Sequence, residues 1–409
     1  MSVFVLAWEL GGHLGHAMPL ARLAKALHHR GHEVHLVWRD LSLASEVLGE
    51  GLGSPRLQLW QAPLWLAGGP AAPATYAELL FAAGYAEPER LQGLAAGWRA
   101  LLRRLQPAAL VADHAPTALL AARGLPIQRV PFGSGFMVPP ACSPLPLLRD
   151  WESVAQHRVE ASEAQALAAC NQVLAGWGEA PMPALCALFD AAETFLMGWP
   201  ELDHAGAARD PTRQRHWGHL ATEGKGLGPA WPAADGPRIL AYLRSSHPAI
   251  DAVLATLRSG PWSSLVCLPG CTPEQAAKLE SPTLRVLPAL LDQSALWPEA
   301  ALYLSHANFS SCHGALAAGV PCVMLPEQVE QVWFARRLAA TGAGAWLWPQ
   351  EAATGLARAL DAVLGSPGFR RSAAALAQRH AHQGPAQVLE ALCDRCEELA
   401  AAAPGGAPT

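Results

Sequence analysis

Residues 301 to 331 constrain the fold more than any other stretch of the chain. Ala301 to Leu304 is an apolar run that ends at Ser305-His306, and the residues that follow suit a tight turn into a helix whose first amides are free to meet an anion. Gly319-Val320-Pro321 then punctuates the chain, Cys322 to Leu325 has the pattern of a buried strand, and Glu330-Gln331 follows its carboxyl end. Strand, turn, helix, strand in this order predicts a parallel α/β unit, a fold class that places ligand contacts beyond the carboxyl ends of its strands.

The amino-terminal end repeats the order. Ser2 to Trp8 is a short apolar strand, Gly11-Gly12-His13-Leu14-Gly15-His16 is a glycine-rich turn, and Leu20, Leu23, Ala24 and Leu27 fall on one face of a following helix. Arg30-Gly31-His32 ends that helix and Glu33 to Val37 opens the next strand. A dinucleotide-binding reading, with Asp40 on a ribose, is disfavoured because His13 and His16 stand where its fingerprint needs glycine.

Composition bounds the rest. A chain of 409 residues with 51% hydrophobic content is long enough for two cored domains. The net charge of -5 and pI near 6.3 leave no basic footprint, so nucleic acid is not an expected partner. No uncharged apolar run reaches the roughly 18 residues that a membrane helix needs, and a cytoplasmic, non-membrane-spanning protein is expected. Nine cysteines in this length do not resemble a disulfide framework. Cys393 and Cys396 form a C-x-x-C, but no second close-spaced pair completes a zinc site, so no metal is expected.

With these residues in view, the chain resembles the nucleotide-sugar-dependent glycosyltransferases of the GT-B fold, the broad family of antibiotic, macrolide, flavonoid and glucuronosyl transferases. Two segments carry the resemblance: His306 through Ser311, Gly319-Val320-Pro321 and Pro326 to Glu330-Gln331, and Gly15-His16-Ala17-Met18-Pro19. It implies an α/β architecture of two doubly wound Rossmann-like domains facing across a cleft. It also implies a bacterial-type inverting transferase that moves a sugar from a UDP or dTDP donor to a hydroxyl of a small acceptor, with no cofactor and no metal. His16 is then the catalytic base and Asp113, at the end of the apolar strand Ala109 to Ala112, its orienting acid.

In this frame His306 and Ser311 meet the donor diphosphate, with Ser310 at the helix start and Asn308 in the turn. Glu330 and Gln331 hold the sugar, the spacing rejecting the neighbouring pair Glu327-Gln328. Gln293 falls near the nucleotide base, and Ser245, in the polar turn Arg244-Ser245-Ser246, near the phosphates. Two positions depart from the family pattern. Its paired glycines are Ala307-Asn308 here, with asparagine the residue expected to tolerate a left-handed turn, and its ribose-contacting glutamate is Gly314. Gly314 has no side chain to offer, so nucleotide binding is expected to be weak unless another group substitutes.

The acceptor domain is expected over 1–220, a linker over 221–236, the donor domain over 237–384, a helix over 385–402 that crosses back to the first domain, and a frayed tail over 403–409. Acceptor-lining aromatic residues are sought between Leu57 and Trp151, with Trp60, Phe81, Phe132 and Phe136 the leading candidates for an apolar, ring-bearing or lipid-like alcohol. Alternatives within the same fold are N-acetylglucosaminyl transfer and sugar-nucleotide epimerisation. A degenerate, non-catalytic partner protein is the reading that the loss of the ribose acid favours.

Overall fold

Short runs rich in Val, Leu and Ala alternate with longer amphipathic stretches along the whole chain, the pattern that buries parallel strands beneath crossover helices. The computed structural model describes residues 1–12, 14–65, 72–210, 212, 214–220, 230–289 and 291–402; His13, residues 221–229 of the expected linker and the 403–409 tail lie outside them. Two units are distinguished. The first comprises Met1–Met197, Ala205–Gly218 and the chain from Ala386; the second comprises Gly198–His204 and His219–Pro385.

In the first unit the strands are β1 (Val3–Trp8), β2 (Glu33–Trp38), β3 (Leu57–Gln61), β4 (Ala109–Asp113), β5 (Gln128–Gly133) and β6 (Phe195–Leu196). Its helices are α1 (Leu14–His29), α2 (Ala44–Leu48), α3 (Tyr76–Phe81), α4 (Pro88–Leu105), α5 (Pro116–Ala121) and α6 (Gln156–Gly176). The sheet is parallel in the order β3-β2-β1-β4-β5-β6. Chain order reverses between β1 and β4, which makes their carboxyl ends the switch point where such sheets bind ligands. Leu20, Leu23, Ala24 and Leu27 on α1 are fully buried, the face expected from their spacing.

The second unit holds β7 (Arg238–Tyr242), β8 (Ser263–Cys267), β9 (Leu284–Leu287), β10 (Leu302–Ser305), β11 (Cys322–Met324) and β12 (Gly344–Trp346). Between and after them run α7 (Ile250–Ser259), α8 (Pro273–Leu279), α9 (Phe309–Ala317), α10 (Val329–Ala340), α11 (Ala352–Gly365) and α12 (Pro367–Arg379). The order β12-β11-β10-β7-β8-β9 repeats the first topology, with the switch between β7 and β10. Gly198–His204 packs here, ahead of the boundary read from the sequence: Trp199 is buried, its backbone N–H meets His313 Nε2 at 3.4 Å, and its ring stacks on His380 at 4.6 Å.

The last helix, α13 (Pro385–Ala401), buries Val388, Leu392, Cys393, Cys396 and Leu399 and from Ala386 onward belongs to the first unit. Arg30 reaches Asp394 (2.6 Å), Glu397 (3.0 Å) and Glu390 (3.1 Å) on it, and Arg395 reaches Glu193 (2.7 Å). These pairs are partly exposed and orient the helix more than they stabilise it; burial of the apolar face is what holds it in place. Burial pushes the Cys393 thiol up to about 11 and Cys396 further, which suits core residues rather than reactive thiols.

Candidate active site

At the first switch point, register places Trp8 beside Asp113 on adjacent strands, and α1 begins just beyond β1. His16, in the first turn of α1, thereby meets Asp113 across 97 residues of chain, Nδ1 to Oδ1 at 2.9 Å. Both are buried, at 6% and 1% exposure. Burial raises the Asp113 carboxyl above its ordinary range, and the charge and hydrogen bond of His16 oppose that rise. A carboxylate so placed holds the ring with Nδ1–H toward Asp113 and leaves Nε2 as the nitrogen that can take a proton.

Three features around this pair were not read from the sequence. Trp8 stacks on the His16 ring at 5.4 Å and 12°, and His114 stacks on it at 6.0 Å and 22°, so the imidazole packs against two near-parallel rings. Burial, followed by the neighbouring His16 and Arg39, lowers His114 to about 3, which keeps it neutral beside the imidazolium that His16 would form. Gly11 adopts φ +78°, and a Cβ built there would lie 2.2 Å from His16 Nε2. Any side chain at this position would collide with the imidazole. The glycine-rich turn was the available signal for this last point; the ring contacts have no local signal.

Glu9, directly after β1, is 2% exposed and accepts from the Thr117 backbone N–H at 2.8 Å and from the Thr117 hydroxyl. Burial raises its carboxyl to about 7, against the opposing hydrogen bonds from Thr117. It ties the end of β1 to the start of α5, and so braces the loop that follows Asp113.

Of the four aromatic residues expected to line an acceptor, Phe136 reaches this cluster, edge-on to His114 at 6.0 Å. Phe132 is 1% exposed, inside the sheet and level with Asp113 and Phe195. Trp60 is half-buried on β3 with its indole N–H on His35 Nδ1 at 3.1 Å. Phe81 is half-buried at the end of α3.

In the second unit, β10 ends at Ser305, level with Tyr242 of β7. His306, 1% exposed, lies between Tyr242 (5.5 Å) and His247 (6.1 Å). His247 is itself fixed, its Nε2–H on the Leu325 carbonyl at 2.8 Å and its Nδ1 accepting from Ala249 at 3.2 Å. The left-handed residue of the turn is Ala307, at φ +63°, and not the expected Asn308, which is extended at φ -65°. Ser305 Oγ accepts the Ala307 N–H at 3.1 Å and holds the turn despite the strain.

Asn308 is the N-cap of α9 by position but makes no capping bond; its side-chain amide goes to His306 Nε2 at 2.8 Å. The first amides of α9 thus carry no side-chain cap, and Ser310 and Ser311 are half-buried in that first turn. An uncapped helix start beside a buried histidine and two hydroxyls has the chemistry to hold an anion.

Glu330 and Gln331 open α10 and have different surroundings. Gln331 Oε1 accepts from the backbone N–H of Glu327 (2.9 Å) and Gln328 (3.2 Å), a capping box that commits its carbonyl to the loop. Glu330 keeps 27% side-chain exposure and lies 4.0 Å from His204 Nε2. The rejected register proves engaged elsewhere, Glu327 pairing with Arg244 at 3.5 Å. Ser245 lies after β7 with its Oγ in the space left by Gly270, and Gln293 is half-buried.

Gly314 is half-buried, and the place of its missing side chain is bordered by Trp297: a Cβ there would lie 3.3 Å from Trp297 Nε1 and 3.6 Å from Trp297 Cε2. No pattern in the sequence singles out Trp297. Among the described residues no cluster of His, Cys, Asp and Glu could hold a metal ion, and no helix is long and apolar enough to cross a membrane.

Comparison with known proteins adds three findings. Residues 280–396 match the family model of the erythromycin biosynthesis protein CIII-like C-terminal domain. No curated protein matches by sequence. Similar solved structures include CalG4, the calicheamicin glycosyltransferase (TM-score 0.72, 20% identity, 98% of this chain and 99% of that one), and the spinosyn rhamnosyltransferase SpnG (0.69, 19%, 97% and 99%). The glycosyltransferase VinC in complex with DTDP is a third (0.66, 18%, 97% and 99%). Its two six-stranded parallel sheets give the chain the GT-B fold of these glycosyltransferases, and residues 280–396 resemble the EryCIII-like C-terminal domain.

Proposed function

We propose that this chain is an inverting glycosyltransferase that moves a sugar from a nucleoside diphosphate to a hydroxyl of a small apolar acceptor. The observation that carries the reading is the buried His16–Asp113 pair at the first switch point, 2.9 Å apart. A buried carboxylate under a histidine is costly to keep in a protein that only binds, which favours catalysis over the partner-protein alternative. VinC is described in complex with DTDP, and SpnG with thymidine diphosphate and with spinosyn aglycone, ligands of the two classes proposed here.

In the proposed step the acceptor oxygen attacks the anomeric carbon while its proton passes to His16 Nε2. The bond from that carbon to the diphosphate oxygen breaks, and the electron pair leaves with the diphosphate. A single displacement inverts the anomeric centre. Asp113 stabilises the imidazolium as it forms. The first amides of α9 with His306, Ser310 and Ser311 meet the charge that develops on the leaving group, so the step asks for no metal ion. Glu330 offers the sugar hydroxyls a carboxylate, and Gln331 shapes the loop beside it.

Turnover with UDP- and dTDP-sugars tests the reading. His16→Ala is expected to lower turnover by about 100-fold or more with donor affinity little changed, and Asp113→Asn to lower it less, because it acts through the histidine. Turnover retained in His16→Ala would remove the base from the mechanism.

A further inference from the structure

The departure at Gly314 and the tryptophan beside it form one device. We propose that Trp297, set against Gly314, is the wall on which the donor nucleoside rests, and that this pair admits ribo- and deoxyribonucleoside diphosphates alike. The inference depends on the donor-site reading above and specifies which nucleotides that site takes.

Helical spacing places Gly314 four residues after Ser310 and three after Ser311, on the face of α9 that carries both hydroxyls. A diphosphate at the uncapped start of α9 therefore directs its nucleoside along this face, over a position with no side chain. Trp297 walls that position. Its indole edge presents Nε1 3.3 Å from where a Cβ would be. The ring is half-buried and held edge-on to the buried Tyr303 at 5.1 Å and 88°. Its backbone N–H is bonded to the Gln293 carbonyl at 3.1 Å, which puts Trp297 and Gln293 in one turn.

The chemistry of this wall differs from that of a carboxylate. A glutamate accepts from hydroxyl groups and favours a sugar with a second hydroxyl. An indole supplies one N–H donor and an aromatic face, which a 3'-hydroxyl oxygen and a furanose ring satisfy whether or not the 2'-hydroxyl is present. The 2'-hydroxyl then contributes little to affinity. An added Cβ at Gly314 would meet the indole at 3.3 Å, so the test variant that restores an acid also shortens Trp297.

Calorimetric titration of the full chain with UDP and with dTDP tests this. The unmodified chain is expected to bind both with affinities within about threefold. Trp297→Phe keeps a ring and loses the N–H, and is expected to weaken both by a similar factor, about 2- to 10-fold, the range of one hydrogen bond. Trp297→Leu combined with Gly314→Glu is expected to favour UDP over dTDP by about tenfold. His306→Ala is the control for the diphosphate site and is expected to weaken both ligands.

A tenfold preference of the unmodified chain for UDP overturns the inference. So does unchanged affinity in Trp297→Phe; if His306→Ala weakens binding in the same series, the donor-site reading stands without the tryptophan. Binding of neither diphosphate by the unmodified chain removes both. Should the double variant fail to fold, Trp297→Phe and the UDP to dTDP ratio of the unmodified chain decide the matter between them.

Discussion

Ala307 carries a left-handed backbone at φ +63° in a turn that sits between two groups proposed to hold the donor, His306 and the start of α9. That conformation costs an alanine about 1 kcal/mol, while glycine adopts it without strain. Ala307→Gly is therefore expected to raise unfolding free energy by about 0.5–1 kcal/mol in urea titration, with the gain reduced by the extra freedom of glycine in the unfolded chain. Lower stability in that variant would mean that the alanine methyl, buried in the core beside α9, contributes more by packing than the backbone loses. Gly11 shows the opposite choice. There the sequence keeps glycine, and the same positive φ coincides with a position where a Cβ would lie 2.2 Å from His16 Nε2.

Caps decide what the ends of α9 and α10 can do. Asn308 leaves the first amides of α9 uncapped by bonding His306, whereas Gln331 closes the start of α10 onto the loop before it. The two residues of the acid-amide pair should therefore separate experimentally. Gln331→Ala is expected to cost about 1 kcal/mol of stability through the lost cap and to impair sugar transfer as the loop loosens. Glu330→Ala is expected to weaken the sugar donor while sparing the free nucleoside diphosphate. Equal weakening of both ligands by Glu330→Ala would place that side chain outside sugar recognition. Glu327→Ala tests a third role, since its partner is Arg244 after β7 and its loss should act on the loop rather than on the sugar.

At the scale of the whole molecule, buried titratable groups shape the response to pH. His114 is lowered from 6.5 to about 3 and His313 is lowered well below 6.5, both mainly by burial, so the unfolded chain binds more protons than the folded one in acid. Their stability contribution is complete above pH 6.5 and is lost as pH falls toward the folded values. Glu9 runs the other way: raised from 4.5 to about 7, it contributes fully below pH 4.5 and loses that contribution as pH rises through 7. His114, His313 and the likewise lowered His35 outnumber the two raised carboxyls, Glu9 and Asp113, so stability should rise with pH between 4.5 and 6.5 and level off near neutrality. Unfolding midpoints at pH 5 and pH 7 check the sign. Glu9→Gln should steepen the acid limb, and a variant whose slope matches the parent would exclude Glu9 from the balance.

The sequence by itself determined the order of elements, the buried face of α1, the α/β class of both units, and the residues in or beside the turns that follow strands, His16, Asp113 and His306 among them. Each of these is local: apolar periodicity sets helix or strand, and turn residues mark where a strand stops. Only the tertiary structure decided what those residues meet. Asp113 reaches His16 because chain order reverses between β1 and β4, which joins groups 97 residues apart. The rings of Trp8 and His114 on His16, the commitment of Gln331 to a cap, the burial of Phe132 and the indole of Trp297 over Gly314 have the same origin. A side chain's neighbours are set by the packing of distant segments, and a pattern read along one segment holds no record of which other segment will lie against it.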